Sequence, residues 1–248
     1  WDGVRMDLFS ATFGLILYHY LIFPITIFAL SKCGRRTSGT ASSFPKVTLI
    51  VAAYNEAKVI EAKVANSFQL DYPDLEVMVV ADGSTDATAQ LAQAADPRVV
   101  VLHEAARRGK SAALNRAVDR ATGDIVVFSD ANTYLQPNAL QKLVRHFGDP
   151  QTGGVSGRKQ IANSEGREST RGDSAFWNVE SRLKAAQSEL GSISVADGEL
   201  FAMRRSLFRP IASDIINDDA EMTLSLVRSG FRVLYEPEAV TSEEASLK

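Results

Sequence analysis

Four stretches run apolar almost without interruption: VTLIVAA from Val47, LEVMVVA from Leu75, VVVLH from Val99 and DIVVFSD from Asp124. Each is followed by a segment with helical spacing, over Ala57 to Phe68, Thr85 to Ala95, Lys110 to Ala121 and Pro137 to Phe147. Strands without apolar/polar alternation must be covered on both faces, and a helix after each strand is the crossover that parallel pairing requires. The alternation predicts a doubly wound α/β domain, mostly parallel, with its ligand at the carboxyl ends of the strands. Polar groups gather at those ends: Tyr54, Asn55 and Glu56, then Asp82, Gly83, Ser84 and Asp86, then Asp130 and Asn132. After Gly153 the pattern changes. GGVSGRKQI reads as a strand, Ser174 to Leu190 as a long amphipathic helix, and ISVADGELFAMRR as a strand ending in basic residues. INDDAEMTLSLVRSG reads as a helix opened by acids, and Phe231 to Tyr235 as a last strand.

Ahead of this pattern, Leu8 to Leu30 carries no Asp, Glu, Lys or Arg, over roughly the 20 residues that a membrane-crossing helix needs. A signal-peptide core is shorter and follows a basic segment, whereas Asp2 and Asp7 flank Arg5 here. An interfacial helix needs a charged face. A buried core helix would not be set off by a linker such as SKCGRRTSGTASSFPK. The expected organisation is a transmembrane helix over 1–31, a basic and polar linker over 32–46, the α/β domain over 47–240, and the start of a further segment over 241–248. Lys32, Arg35 and Arg36 follow the span, and the positive-inside rule assigns them to the cytoplasmic side. The chain is thus expected to be integral to the plasma or inner membrane, with its α/β domain cytoplasmic. It starts on Trp1 and reads as a fragment. A net charge of −3 gives no basis for nucleic acid as a partner, and one cysteine, Cys33, rules out an internal disulfide or a cysteine zinc cluster.

The strand ends narrow the chemistry. RRGKSAALN looks like the close of a P-loop, but the residue five before Gly109 is Glu104 where that motif needs glycine. Neither of the first two strands leads into G-x-G-x-x-G, so a dinucleotide fingerprint is absent too. A divalent metal is another way to hold a phosphorylated ligand. In extended backbone Asp130 and Asn132 would point to the same side and offer a carboxylate and an amide oxygen to Mg²⁺ or Mn²⁺. The same pair could serve only a turn. ADGSTD is equally ambiguous: Asp82 could read a base or ribose, or DGS could be a turn with Ser84 or Thr85 capping the next helix. Lys110 could neutralise phosphate or be a solvated helix residue. Asp218, Asp219 and Glu221 crowd three carboxylates into one helical turn, which suits the helix dipole and makes one of them a plausible general base.

In order and spacing, VTLIVAAYNEAKVI, VVADGSTDAT, RRGKSAALNRAV, FSDANTYLQPNAL and INDDAEMTLSLVRSGFRVLYEPEAV resemble glycosyltransferase family 2 and its GT-A fold over about Pro45 to Ala239. The resemblance implies an inverting transfer of a sugar from a nucleotide-sugar donor, usually a UDP-sugar, to a saccharide or lipid-linked acceptor, as in cell-surface polysaccharide or glycolipid synthesis. It implies that Ala53, Tyr54, Glu56, Asp82, Lys110 and Asp130 bind the donor, and that DAN stands for the D-x-D metal motif, with Asp130 and Asn132 toward Mg²⁺ or Mn²⁺. It makes Asp219 the base that deprotonates the acceptor hydroxyl, with Gly198, Glu199 and Asp218 on the acceptor side. Ala81 stands where the family commonly has an acid, Asn132 replaces the last acid of D-x-D, and no Q-x-x-R-W follows the last strand. The alternatives are a sugar nucleotidyltransferase, which would need a Gly-rich loop with Arg after the first strand, or a degenerate nucleotide-binding domain acting as a membrane scaffold.

Overall fold

The computed structural model describes residues 2–32, 44–161 and 169–243. Cys33, Arg35, Arg36 and the residues after Glu243 lie outside them. At the amino end, α1 (Asp2–Leu17), a π-helical turn (Tyr18–Ile22) and α2 (Phe23–Ser31) form one continuous helix, since Leu17, Ile22 and Phe23 all keep right-handed helical dihedrals. Pro24 lacks the N–H that the carbonyl one turn earlier would accept, and the widened turn lies just upstream of it. Phe9–Ser31 has a mean hydropathy of 1.9 and is long and apolar enough to cross a membrane. α2 packs against α7 (Ser169–Leu190). The α2 residues that lose exposure, Phe23, Pro24, Ile27, Phe28 and Ser31, form one helical stripe.

The eight strands are β1 (Val47–Ala53), β2 (Leu75–Asp82), β3 (Val100–Glu104), β4 (Ile125–Asp130), β5 (Thr133–Leu135), β6 (Thr152–Ile161), β7 (Phe201–Arg204) and β8 (Arg232–Glu243). They form one sheet in the order β3-β2-β1-β4-β7-β6-β8-β5. β3, β2, β1 and β4 pair in parallel, as their continuous apolar character predicts. Beyond β4 the sheet is mixed: β7 is antiparallel to both β4 and β6, β8 is parallel to β6, and β5 is antiparallel to β8.

Both faces are covered. Leu49, Val51, Val77 and Val127 pack with α3 (Ile60–Phe68), α4 (Thr88–Ala95) and α6 (Ala139–Val144) through Ile60, Val64, Ala92, Leu140 and Leu143. Ile50, Met78, Val80 and Val126 pack with α5 (Lys110–Arg120) and α8 (Asp218–Arg228) through Leu114, Ala117, Met222 and Leu226. At about 25 cal/mol per Å² of apolar surface, each such strand side chain contributes about 1.5–3 kcal/mol of burial.

Several boundaries differ from expectation for a shared reason. Helices α3, α4 and α6 start two or three residues late. The loop backbone ahead of α3 and α4 is satisfied by neighbouring loops instead: Glu56 N–H donates to Thr88 Oγ1 at 2.8 Å, Ala57 N–H to Asp86 at 3.2 Å, and Thr85 N–H to Asn55 Oδ1 at 2.9 Å. Asp86, rather than Ser84 or Thr85, accepts from Thr88 N–H at the start of α4, at 3.0 Å. ISVADGEL is not a strand, because Ala196 N–H and Asp197 N–H go to the side chains of Thr223 and Ser156 rather than to a ladder. β5, too short to carry a periodic signal, was not anticipated, and β8 runs on from Tyr235 to Glu243 to pair with it.

Candidate active site

The strand order reverses beside β1, between its neighbours β2 and β4, and that reversal opens a crevice at the carboxyl ends. A cavity of about 300 Å³ lies there, lined among others by Ala53, Tyr54, Glu56, Asp82, Lys110, Asp130 and Asn132. Because β7 runs antiparallel to β4, the loop that leads into β7 reaches the same end of the sheet as Asp130. Gly198 and Glu199 from that loop and Asp219 from α8 line a second cavity of about 290 Å³, whose wall also includes Lys110 and Asp130. Seven residues expected on the donor side and three expected near the acceptor thus fall in adjoining cavities with two residues in common. Asp218 joins them through Lys110. Glu221 faces elsewhere, beside Arg209 and Pro210.

The loop after β1 carries Asn55 in the left-handed region, φ 56°, a conformation asparagine tolerates. Its side chain holds the loop after β2, where Gly83, φ 68°, leaves room for Arg107: a Cβ there would sit 2.4 Å from Arg107 Cβ. The Arg107 guanidinium in turn lies 3.9 Å from the centre of the Tyr54 ring, over the first cavity. Asp82 is only 5% exposed, and both its oxygens have protein donors. Arg108 N–H and Gly109 N–H donate to one at 2.9 and 2.7 Å, and Arg116 donates to the other at 2.8 Å. Asp82 therefore fixes the Arg107–Gly109 loop that closes one side of the cavity. Glu56, partly buried, has its pKa raised by desolvation first and then by Asp130 and Asp86.

The alternation argument for Asp130 and Asn132 does not hold in this geometry. β4 ends at Asp130, and Ala131 and Asn132 form a turn before β5; the two side chains still line one cavity because the turn brings them there. Beneath the turn lies Lys63, which is 0% exposed. Burial draws its pKa down to about 7, against the opposing pull of Asp130 and Glu199.

Lys110 Nζ sits 3.3 Å from Asp130 Oδ1 and 3.7 Å from Asp218 Oδ2. Burial disfavours its charge, yet Asp130, Asp218 and Asp219 together raise its pKa. Asp219 is the most perturbed acid here: desolvation first, then Asp218, push its pKa up to about 6, with Lys110 pulling the other way. Its Oδ1 is buried without a hydrogen-bond partner among the described residues. Gly198 packs directly on it, since a Cβ at that position would lie 2.1 Å from Asp219 Oδ1. Asn217 Oδ1 caps α8 by accepting from Ala220 N–H at 3.1 Å. Glu199 is paired with Lys159.

No three His, Cys, Asp or Glu side chains among the described residues are grouped closely enough to enclose a metal ion. One carboxylate and one amide oxygen on a cavity wall do suit a hard cation that keeps most of its shell from a bound diphosphate and water. Sequence reasoning gave no role to Arg107, Arg116, Lys159 and Lys63, and placed Asp86 at a strand end without a role of its own. Arg107 stands in the basic run before Gly109, and Lys63 shares the helical stripe of Ile60, Val64 and Ser67; both signals were present in the sequence.

The family model for glycosyl transferase family 2 matches residues 48–211. The poly-beta-1,6-N-acetyl-D-glucosamine synthase of Staphylococcus aureus strain COL is 29% identical over 202 residues, 78% of this chain and 48% of that protein. An N-acetylglucosaminyltransferase of Azorhizobium caulinodans is 29% identical over 214 residues, 79% of this chain and 54% of that protein. The chain spans about half the length of these relatives. Among solved structures, the mannosyltransferase PcManGT from Pyrobaculum calidifontis, in complex with GDP-Man and Mn²⁺, superposes with a TM-score of 0.79 at 30% identity, covering 100% of this chain and 69% of that one. The glucosyl-3-phosphoglycerate synthase from Mycobacterium tuberculosis, at a TM-score of 0.56 and 21% identity, shares the fold. A GT-A sheet with its strand-end clusters in the expected order, and a family model matching most of the α/β domain, show that this chain belongs to glycosyltransferase family 2.

Proposed function

We propose that the chain is the catalytic part of a membrane-anchored, inverting glycosyltransferase that moves a sugar from a nucleoside diphosphate sugar to a hydroxyl of a saccharide or lipid-linked acceptor. The observation that carries this reading is the pair of cavities walled in common by Lys110 and Asp130, with Asp219 on one side and Tyr54 and Arg107 on the other. The nucleobase would lie against Tyr54 and Arg107, and the diphosphate would extend toward Lys110, whose ammonium offsets its charge. Asp130 and Asn132 would hold Mg²⁺ or Mn²⁺, which when bound supplies charge neutralisation to the leaving diphosphate. Asp219, with its pKa near 6, takes the proton of the acceptor hydroxyl. The oxygen then forms its bond to the anomeric carbon as the bond to the diphosphate breaks, so the nucleoside diphosphate leaves on the opposite face and configuration inverts. The apolar helix would tether this domain to the bilayer, with the α/β domain on the cytoplasmic side, within reach of soluble donor and membrane-held acceptor.

Both UDP- and GDP-linked donors suit a base site made of a ring and a guanidinium. The resemblance favours UDP-sugars, and a structural relative was captured with GDP-Man. The test is a panel of UDP- and GDP-sugars offered to the full, membrane-embedded chain with Mn²⁺ or Mg²⁺. Release of nucleoside diphosphate from one of them, lost in EDTA and restored by either metal, is the expected outcome. No release from any donor overturns the reading.

A further inference from the structure

Lys63 belongs to neither cavity, yet it is a fully buried lysine 0% exposed on α3. Its ammonium donates to Ser129 Oγ at 2.7 Å and to the Thr133 carbonyl at 2.6 Å, with Thr133 Oγ1 at 3.4 Å as a third partner. Ser129 is the residue before Asp130, and Thr133 is the residue after Asn132. The two hydroxyls lie 3.1 Å apart, and Thr133 Oγ1 donates to the Asp130 carbonyl at 3.0 Å. All three ammonium protons therefore clasp the two stems of the turn that presents Asp130 and Asn132.

The same helix holds the turn a second time, since the Asn66 side chain exchanges hydrogen bonds with both backbone groups of Leu135 at 2.9 and 3.0 Å. Its other end is tied to the first strand-end loop: Glu56 carbonyl accepts from Val59 and Ile60 N–H, each at 3.0 Å. α3 thus spans from the Tyr54–Glu56 loop to the Asp130–Asn132 turn. An apolar side chain of equal length could fill the volume at no desolvation cost, but it could not join the two stems.

We infer that Lys63 is a positioning residue for the donor's metal–diphosphate site, its ammonium holding the Asp130–Asn132 turn in the conformation that presents both oxygens to the cavity. This inference rests on the donor site proposed above. Groups that orient metal ligands from behind typically change metal affinity or activity by about 10- to 100-fold when removed.

The test is calorimetric titration of UDP and of GDP into the full chain, with Mn²⁺ and separately in EDTA, for wild type and Lys63→Met, alongside thermal melting. Methionine keeps the length and removes the donors. The expected result is a variant that melts close to wild type, binds the nucleotide about 10-fold or more weakly with Mn²⁺, and matches wild type in EDTA. Equal affinity with Mn²⁺ overturns the inference, as does an equal loss with and without Mn²⁺, which marks a general packing role. If Lys63→Met does not fold, Ser129→Ala, which removes one acceptor oxygen, is expected to show the same Mn²⁺-confined weakening, and wild-type affinity there overturns the inference. A wild-type chain that binds neither nucleotide with Mn²⁺ overturns the donor site itself, and the role of Lys63 with it.

Discussion

Asp219, the proposed base, shows what a raised pKa costs the fold that carries it. Its pKa near 6 against 3.8 in water means that folding takes up a proton between those values. The contribution to stability is complete below pH 3.8 and is lost as pH rises through 6, so at neutral pH the ionised carboxylate is a net burden. Asp219→Asn is expected to raise stability at pH 7 by about 1–2 kcal/mol, read from denaturant midpoints at unchanged slope. The same change should lower kcat by about 10²- to 10⁴-fold. In wild type, kcat should climb with an apparent pKa near 6, and this limb should vanish in the asparagine variant. Gly198 makes a separate prediction through contact. A methyl group placed 2.1 Å from Asp219 Oδ1 must push the carboxylate aside. Gly198→Ala should therefore reduce turnover by on the order of 100-fold, with little loss of donor affinity measured by titration. The acid-rich start of its helix offered Asp218, Asp219 and Glu221, and the resemblance singled out Asp219, whereas the elevation of its pKa depends on burial, Asp218 and Asp130, against the opposing pull of Lys110 and the Gly198 N–H. None of these quantities is encoded in local spacing.

Elements matter here chiefly through their ends. α8 begins with three acids, and Asn217 just before it satisfies a helix N–H with its side chain. Asn217→Ala is expected to cost about 1 kcal/mol of stability. Because α8 holds Asp219 beside Gly198, turnover should fall more than donor affinity does, measured by a melting curve and a titration on the same sample. β4 ends where β7 begins alongside it, and this antiparallel step brings the Gly198–Glu199 loop to the edge that carries Asp130. Near-continuous apolar runs made β1 to β4 legible and their order of polar ends correct. β7 was drawn too long, since side chains of Ser156 and Thr223 take the hydrogen bonds that a strand would have used. α3 was read as an ordinary covering helix. Its Lys63 had no place in that reading, although position i+3 from Ile60 puts it on the buried stripe with Val64.

At the scale of the whole molecule, the apolar amino-terminal helix and the α/β domain are joined through α2 and α7 as well as through the chain. The full chain is expected to sediment with membranes and to resist alkaline carbonate extraction. A variant lacking residues 1–31 should leave the membrane pellet, measured by immunoblot of the two fractions. The apolar helix, the α/β class, and the polar clusters at the strand ends followed from the sequence alone, because each depends on short-range composition: length without charge, apolar runs, and turn residues after them. The tertiary structure decided which clusters meet. It took pairing between segments some seventy residues apart, β4 with β7, to put Lys110 and Asp130 on the wall of both cavities. It also took folding to turn a helical lysine inward beneath a turn. Such contacts are set by long-range packing and by the burial of charge, which depend on every neighbour at once.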